Sequence, residues 1–214
     1  MTDDRLHKLF VSRSHYLRLS VAADDATTGG RIGGRPPEAC LAAEPCPRCG
    51  GPMIYYLTVD FSRLLNSPQE VSVLLCRDFD CLLKGSASSR LRLPSSLRCL
   101  VHEPSPRSPQ PTALDSEVAP RALRSAPREA REDEDEPAEN SKIGGRVGLI
   151  QKEGIDEALA AEGWDFLLQW NELDFPRGMH IGTYPLAGGA LYFFAAFRGN
   201  APYLNELRAF WQRS

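Results

Sequence analysis

The sequence predicts an α+β protein, mainly antiparallel β, made of two pseudo-duplicated halves that share one core, with a cysteine knuckle in the first half and a C-terminal helix. Three observations carry this reading. Short runs rich in β-branched and aromatic residues, bounded by Gly and Pro, recur along the chain and read as strands. The pentapeptide Arg-Ile-Gly-Gly-Arg at 31–35 returns as Lys-Ile-Gly-Gly-Arg at 142–146. Four of the six cysteines fall in two close pairs, Cys46/Cys49 and Cys76/Cys81.

Taken in order, residues 16–21 alternate apolar and polar side chains, as an edge strand does. The paired glycines at 33–34 and 144–145 reach positive φ without a Cβ penalty. They mark tight turns that seat Arg35 and Arg146 against a carboxylate. Neither has the spacing of a phosphate-cradling loop. Residues 53–61 and 71–76 then form a hairpin, and the second half repeats the order with apolar runs opening at Phe166 and Ala190. Both first runs end in Asp-Phe, at Asp60-Phe61 and Asp174-Phe175, so the order points to an internal duplication. Two helices complete the prediction. One covers 153–162, and the other covers 202–212, with Tyr203, Leu204, Leu207, Phe210 and Trp211 on one face and Asn200 as N-cap.

Between the copies, residues 101–141 hold seven prolines, few large apolar side chains and an acid run from Glu132 to Glu136. Such a stretch buries too little apolar area to offset about 1–2 kcal/mol of backbone entropy per residue. It is therefore expected to be a disordered, solvated linker, dividing the chain into a metal-containing half at 1–100 and a second half at 142–214.

Composition narrows the function. The net charge is −3, and residues 1–100 carry 13 basic against 10 acidic groups, far from the balance of a general nucleic-acid binder. No apolar run approaches the length of a membrane span, and the opening Met-Thr-Asp-Asp-Arg lacks the apolar core of a secretory signal. A cytoplasmic setting is expected, where disulfides are disfavoured and metal binding is the first reading of the cysteines.

Cys46-Pro-Arg-Cys49-Gly-Gly has the form of a zinc knuckle: the spacing lets both sulfurs face one ion, and the glycines turn backbone amides toward the thiolates. Cys76 and Cys81, with four residues between them, supply the other two ligands just beyond the next strand. The predicted set is Cys46, Cys49, Cys76 and Cys81 around a structural Zn2+ with no open position. A redox pair would want a strand-to-helix context, which Gly-Gly-Pro-Met and a strand replace. Cys99 or His102 is the competing source of a ligand, and Cys40 is left as an ordinary small side chain. No Ser-His-Asp, Cys-His or paired-carboxylate set stands in a recognisable context, so no enzyme is expected.

The Lys/Arg-Ile-Gly-Gly-Arg turns, the Cys-Pro-x-Cys-Gly-Gly-Pro-Met knuckle, the run Phe166–Gln169 and the run Gly188–Phe194 together resemble the YwqG-like bacterial domains of unknown function. They are more distantly similar to the programmed cell death protein 2 family. The resemblance covers roughly 30–100 and 141–198. It implies a β-rich fold of two similar halves, no established enzymatic activity, and protein-binding roles of the immunity or chaperone kind. The expected function is a non-catalytic, zinc-stabilised protein-binding module. A zinc-ribbon nucleic-acid binder using Arg48, Arg63, Arg77, Arg90, Arg92 and Arg98 is the runner-up, disfavoured by the interspersed Asp60, Glu70, Asp78 and Asp80. An uncharacterised enzyme is the third class.

Overall fold

The computed structural model describes residues 2–22, 29–62, 68–87, 96–130, 140–151, 154–176, 179 and 185–212. The first half opens with α1 (Thr2–Leu6) and a helical turn at His7–Val11. It continues through β1 (His15–Ala22), β2 (Gly29–Ile32), a short turn at Glu38–Cys40, β3 (Met53–Asp60), β4 (Glu70–Cys76), α2 (Phe79–Ala87) and β5 (Leu97–His102). Next come β6 (Arg121–Glu129), β7 (Lys142–Ile143), α3 (Ile155–Ala161), β8 (Asp165–Asn171), β9 (Ala190–Arg198) and β10 (Ala201–Gln212). The ten strands form one antiparallel sheet in the order β10-β9-β8-β7-β1-β6-β2-β3-β4-β5. The sheet curls until β5 and β10 come near one another without sharing a ladder.

β2 and β7, which hold the first two residues of the two pentapeptides, flank the central β1–β6 pair. Ile32 pairs with Leu57, and Ile143 with Leu168. Each neighbouring strand is irregular one residue earlier, at Tyr56 and at Leu167. There the N–H of Gly33 donates to the Tyr56 carbonyl and that of Gly144 to the Leu167 carbonyl, both at 2.9 Å. These glycines are required: φ is +66° at Gly33, where a Cβ would stand 2.3 Å from the Val118 carbonyl oxygen.

Alternation sorts the side chains into two faces. Val71, Val73 and Leu75 of β4 join Leu191, Phe193 and Ala195 of β9 in a core on the inner face, which spans both halves. The outer faces are covered differently. Over β8–β10, Ile155 and Leu159 of α3 pack on Phe166, Tyr192, Phe194 and Phe210. Over β3–β5 the corresponding cover is Cys40, Cys46 and Cys81 packed on Met53, Leu74 and Cys76.

Four expectations are corrected. Residues 202–212 are not a helix but most of β10, laddered to β9. The ladder jumps from Tyr203 to Leu207, and this bulge resets the strand's alternation, so Leu204, Leu207 and Phe210 fall at spacings that mimic a helix. The strand at 16–21 is central rather than an edge, because β1 pairs with both β6 and β7.

The disordered linker is the third, for residues 101–130; its acid run lies outside the described residues. β6 sits in the middle of the sheet between β1 and β2. Ala130 donates to the Ser14 carbonyl, which fixes the alternation and turns Pro127, opposite Leu17, away from β1. On that side the described part of β2 stops at Gly29, opposite Arg124, so among the described residues the missing N–H interrupts no ladder bond. The preceding proline-rich loop is held by guanidinium groups on its carbonyls. Arg31 binds Ser105, Arg35 binds Pro109 at 2.5 Å, and Arg107 ties the loop back to the Gly33 carbonyl at 2.6 Å. Arg35 thus seats against a carbonyl and not the expected carboxylate.

Candidate metal centre

The base of the β3–β4 hairpin places Met53 opposite Cys76. Residues 46–51 fold back over that base through Cys46 N–H to the Gly51 carbonyl and Gly50 N–H to the Cys46 carbonyl, each 2.9 Å. Gly50, at φ +70°, makes the reversal, and Gly51 N–H points to Cys49 Sγ at 3.4 Å. The Arg77 N–H bonds the Pro52 carbonyl, locking the end of β4 to the knuckle. Asp78 then accepts from Cys81 N–H at 3.1 Å, an N-terminal cap that turns Cys81 inward on α2.

All four predicted ligands converge. The sulfurs of Cys46, Cys49, Cys76 and Cys81 lie within 4.8 Å of one another, with Cys46–Cys81 at 3.8 Å and Cys49–Cys76 at 3.6 Å. A tetrahedron of sulfurs bonded at about 2.3 Å to one ion has edges of about 3.8 Å. Cys46, Cys76 and Cys81 are buried and Cys49 is exposed. Burial and the neighbouring sulfurs push the Cys76 thiol well up and Cys81 to about 11. For Cys46 burial is outweighed by the Cys49 and Arg48 amides, which lower it. Four crowded thiols resist sharing several negative charges unless a cation compensates them, and this cluster can hold a metal ion.

The other cysteines and His102 stand outside the sulfur set. Cys99 sits opposite Val73 on β5, and Cys40 is completely buried, its thiol raised by desolvation. His102 belongs to a polar chain that the sequence did not reveal. His102 Nδ1 donates to the Glu103 carbonyl at 2.6 Å, and Nε2 shares a hydrogen bond with the Ser72 hydroxyl at 2.8 Å. Ser72 meets Thr58 at 2.7 Å, and Thr58 meets Tyr55 Oη at 3.0 Å. Beside it Glu70 binds Arg31 at 2.8 Å and lies 3.8 Å from His102 Nδ1. Only strand register joins these residues, so no spacing could have signalled them. Ser72 is fully buried in mid-strand, and its hydroxyl serves this network.

The second half uses the matching outer-face positions to fasten its cover. Gln169 accepts from Gly148 N–H, Tyr192 accepts from Ile150 N–H, and Gln212 accepts from Gln151 N–H. At the junction of the halves, Glu172 is buried and accepts from Tyr56 Oη, Leu186 N–H and Gly188 N–H at 2.8–2.9 Å. Burial nevertheless pushes it up to about 7. No protein-family model matches the chain, and no curated protein matches it either.

Proposed function

We propose that this chain is a non-catalytic protein-binding module whose first half is built around a structural zinc ion held by Cys46, Cys49, Cys76 and Cys81. The observation that carries the metal assignment is the closed set of four sulfurs at tetrahedral spacing. Four thiolates favour zinc among common ions and leave no position for substrate or water. The YwqG-like motifs support protein binding of the immunity or chaperone kind in the cytoplasm. The matched pairings of β2 with β3 and of β7 with β8 support descent from a duplicated half. On this view zinc does for the first outer face what α3 does for the second.

The nucleic-acid reading gains no support. Arg98 is spent on Glu44 and the Pro45 carbonyl, and Arg77 faces the Ala113 and Asp115 carbonyls. Arg63, Arg90 and Arg92 lie outside the described residues.

Elemental analysis of the purified chain tests the metal, with about one zinc per chain expected. A zinc-free chain that melts at the same temperature as the zinc-loaded one overturns the assignment. Affinity capture with and without nuclease tests the partner class. Captured proteins that disappear with nuclease, and whose retention falls steeply with salt, overturn the protein-binding reading.

A further inference from the structure

Among the described residues, the curled sheet has one seam without a ladder, between β5 and β10. A cavity of about 240 Å³ lies there, with Cys99 and Val101 on one wall and residues 204–208 on the other. Both walls carry unladdered backbone. Cys76 N–H donates to the Ser96 carbonyl at 2.8 Å, which sets the antiparallel alternation. Arg98, Leu100 and His102 therefore turn their backbone groups to β4, and Leu97, Cys99 and Val101 turn theirs to the free edge. Across the seam, the ladder of β10 with β9 passes over Leu204, Asn205 and Glu206.

The floor is apolar: Leu204 and Leu207 are buried in the main core, and Cys99 and Val101 pack against it. At the mouth, Arg208 is committed to the Trp164 ring at 4.0 Å. Glu206 is exposed and has no ion-pair partner among the described residues. Unpaired N–H and C=O groups along an edge are a template for another strand. The volume is below the roughly 300–1,000 Å³ of small-molecule sites, which suits a side chain with its adjoining backbone better than a cofactor.

We propose that this seam is a peptide-binding site, taking a short extended segment of a partner protein by strand addition along β5. One aliphatic side chain of that segment fills the cavity and a basic residue faces Glu206. Backbone pairing supplies affinity, and the cavity supplies selection for side-chain size. The site rests on the protein-binding reading and says where that binding takes place.

The test is fluorescence polarisation of end-blocked, labelled octapeptides titrated with the full chain. In one set Val, Leu or Thr alternates with Lys, and in the other with Glu. Members of the Lys set bind saturably. Val101→Pro and Cys99→Pro each remove one outward N–H while leaving the β4 ladder intact, and each weakens binding about tenfold or more. Glu206→Lys shifts the preference toward the Glu set. Should either proline variant fail to fold, hydrogen exchange on the wild type decides the matter, with the Cys99 and Val101 amides becoming protected when peptide binds. Binding indifferent to the prolines, or without that protection, overturns the site. If no peptide binds while proteins are still captured from nuclease-treated extract, the seam is wrong and the protein-binding reading stands. If neither occurs, both fall.

Discussion

Replacing Glu172 with Gln removes the one deeply buried carboxylate, among the described residues, whose ionisation opposes folding. Burial raises it from an ordinary 4.5 to about 7, although Tyr56, Leu186 and Gly188 all donate to it. The sign follows from linkage. Below about pH 4.5 the carboxyl is protonated whether the chain is folded or not, and its stabilising contribution is fully present. As pH rises, the unfolded chain releases the proton first, so folded stability falls until the pH passes about 7 and is flat thereafter. At 1.36 kcal/mol per pH unit, the loss across that window is about 3 kcal/mol. For a chain of this length that corresponds to about 6–12 °C in melting temperature. Urea unfolding of both proteins at pH 5, 6, 7 and 8 provides the measurement. The wild type should lose about 2.5 kcal/mol more than Glu172→Gln between the extremes, the rest of the loss falling below pH 5. Other titrating groups, the thiols included, are common to both proteins and cancel in the difference. Parallel stability curves would refute the reasoning and show that the three donors hold the carboxylate ionised throughout.

Three other outcomes are expected. Cys49→Ser should abolish bound metal and Cys40→Ser should leave it unchanged, measured by elemental analysis, since only the former belongs to the sulfur cluster. Deleting residues 105–130 should abolish the cooperative thermal transition seen by circular dichroism, because it removes β6 from between β1 and β2. An unchanged melt would restore the linker reading. Phe210→Ala should cost about 3–5 kcal/mol in urea unfolding, as a fully packed ring is lost. Phe210 is 2% exposed and stacks 4.9 Å from Tyr192 and 5.7 Å from Phe194.

The cluster of four cysteines was legible because ligand spacing is a local property. Two residues fit between Cys46 and Cys49, and glycines follow where amides must turn. The hairpin strands and α3 were legible for the same reason: alternation and helical periodicity are written in neighbouring residues. The Gly-Gly turns too could be placed from the chain alone, since two adjacent positive-φ positions tolerate little else.

What the tertiary structure decided lies where distant segments supply the partner. β6 has few large apolar side chains, and its order comes from ladders on both sides, which no property of residues 121–129 announces. The proline-rich loop is ordered by Arg31, Arg35 and Arg107 reaching carbonyls that have no strand to pair with. β10 has a helix's spacing because a bulge inserts residues between its two laddered parts, and only β9 lying alongside chooses the strand. Ser72 and His102 meet because β4 and β5 pair in one register and not the next. Local chemistry therefore determined the ligands and most strands, whereas long-range pairing determined which segment occupies the centre of the sheet and which edges face each other across the seam.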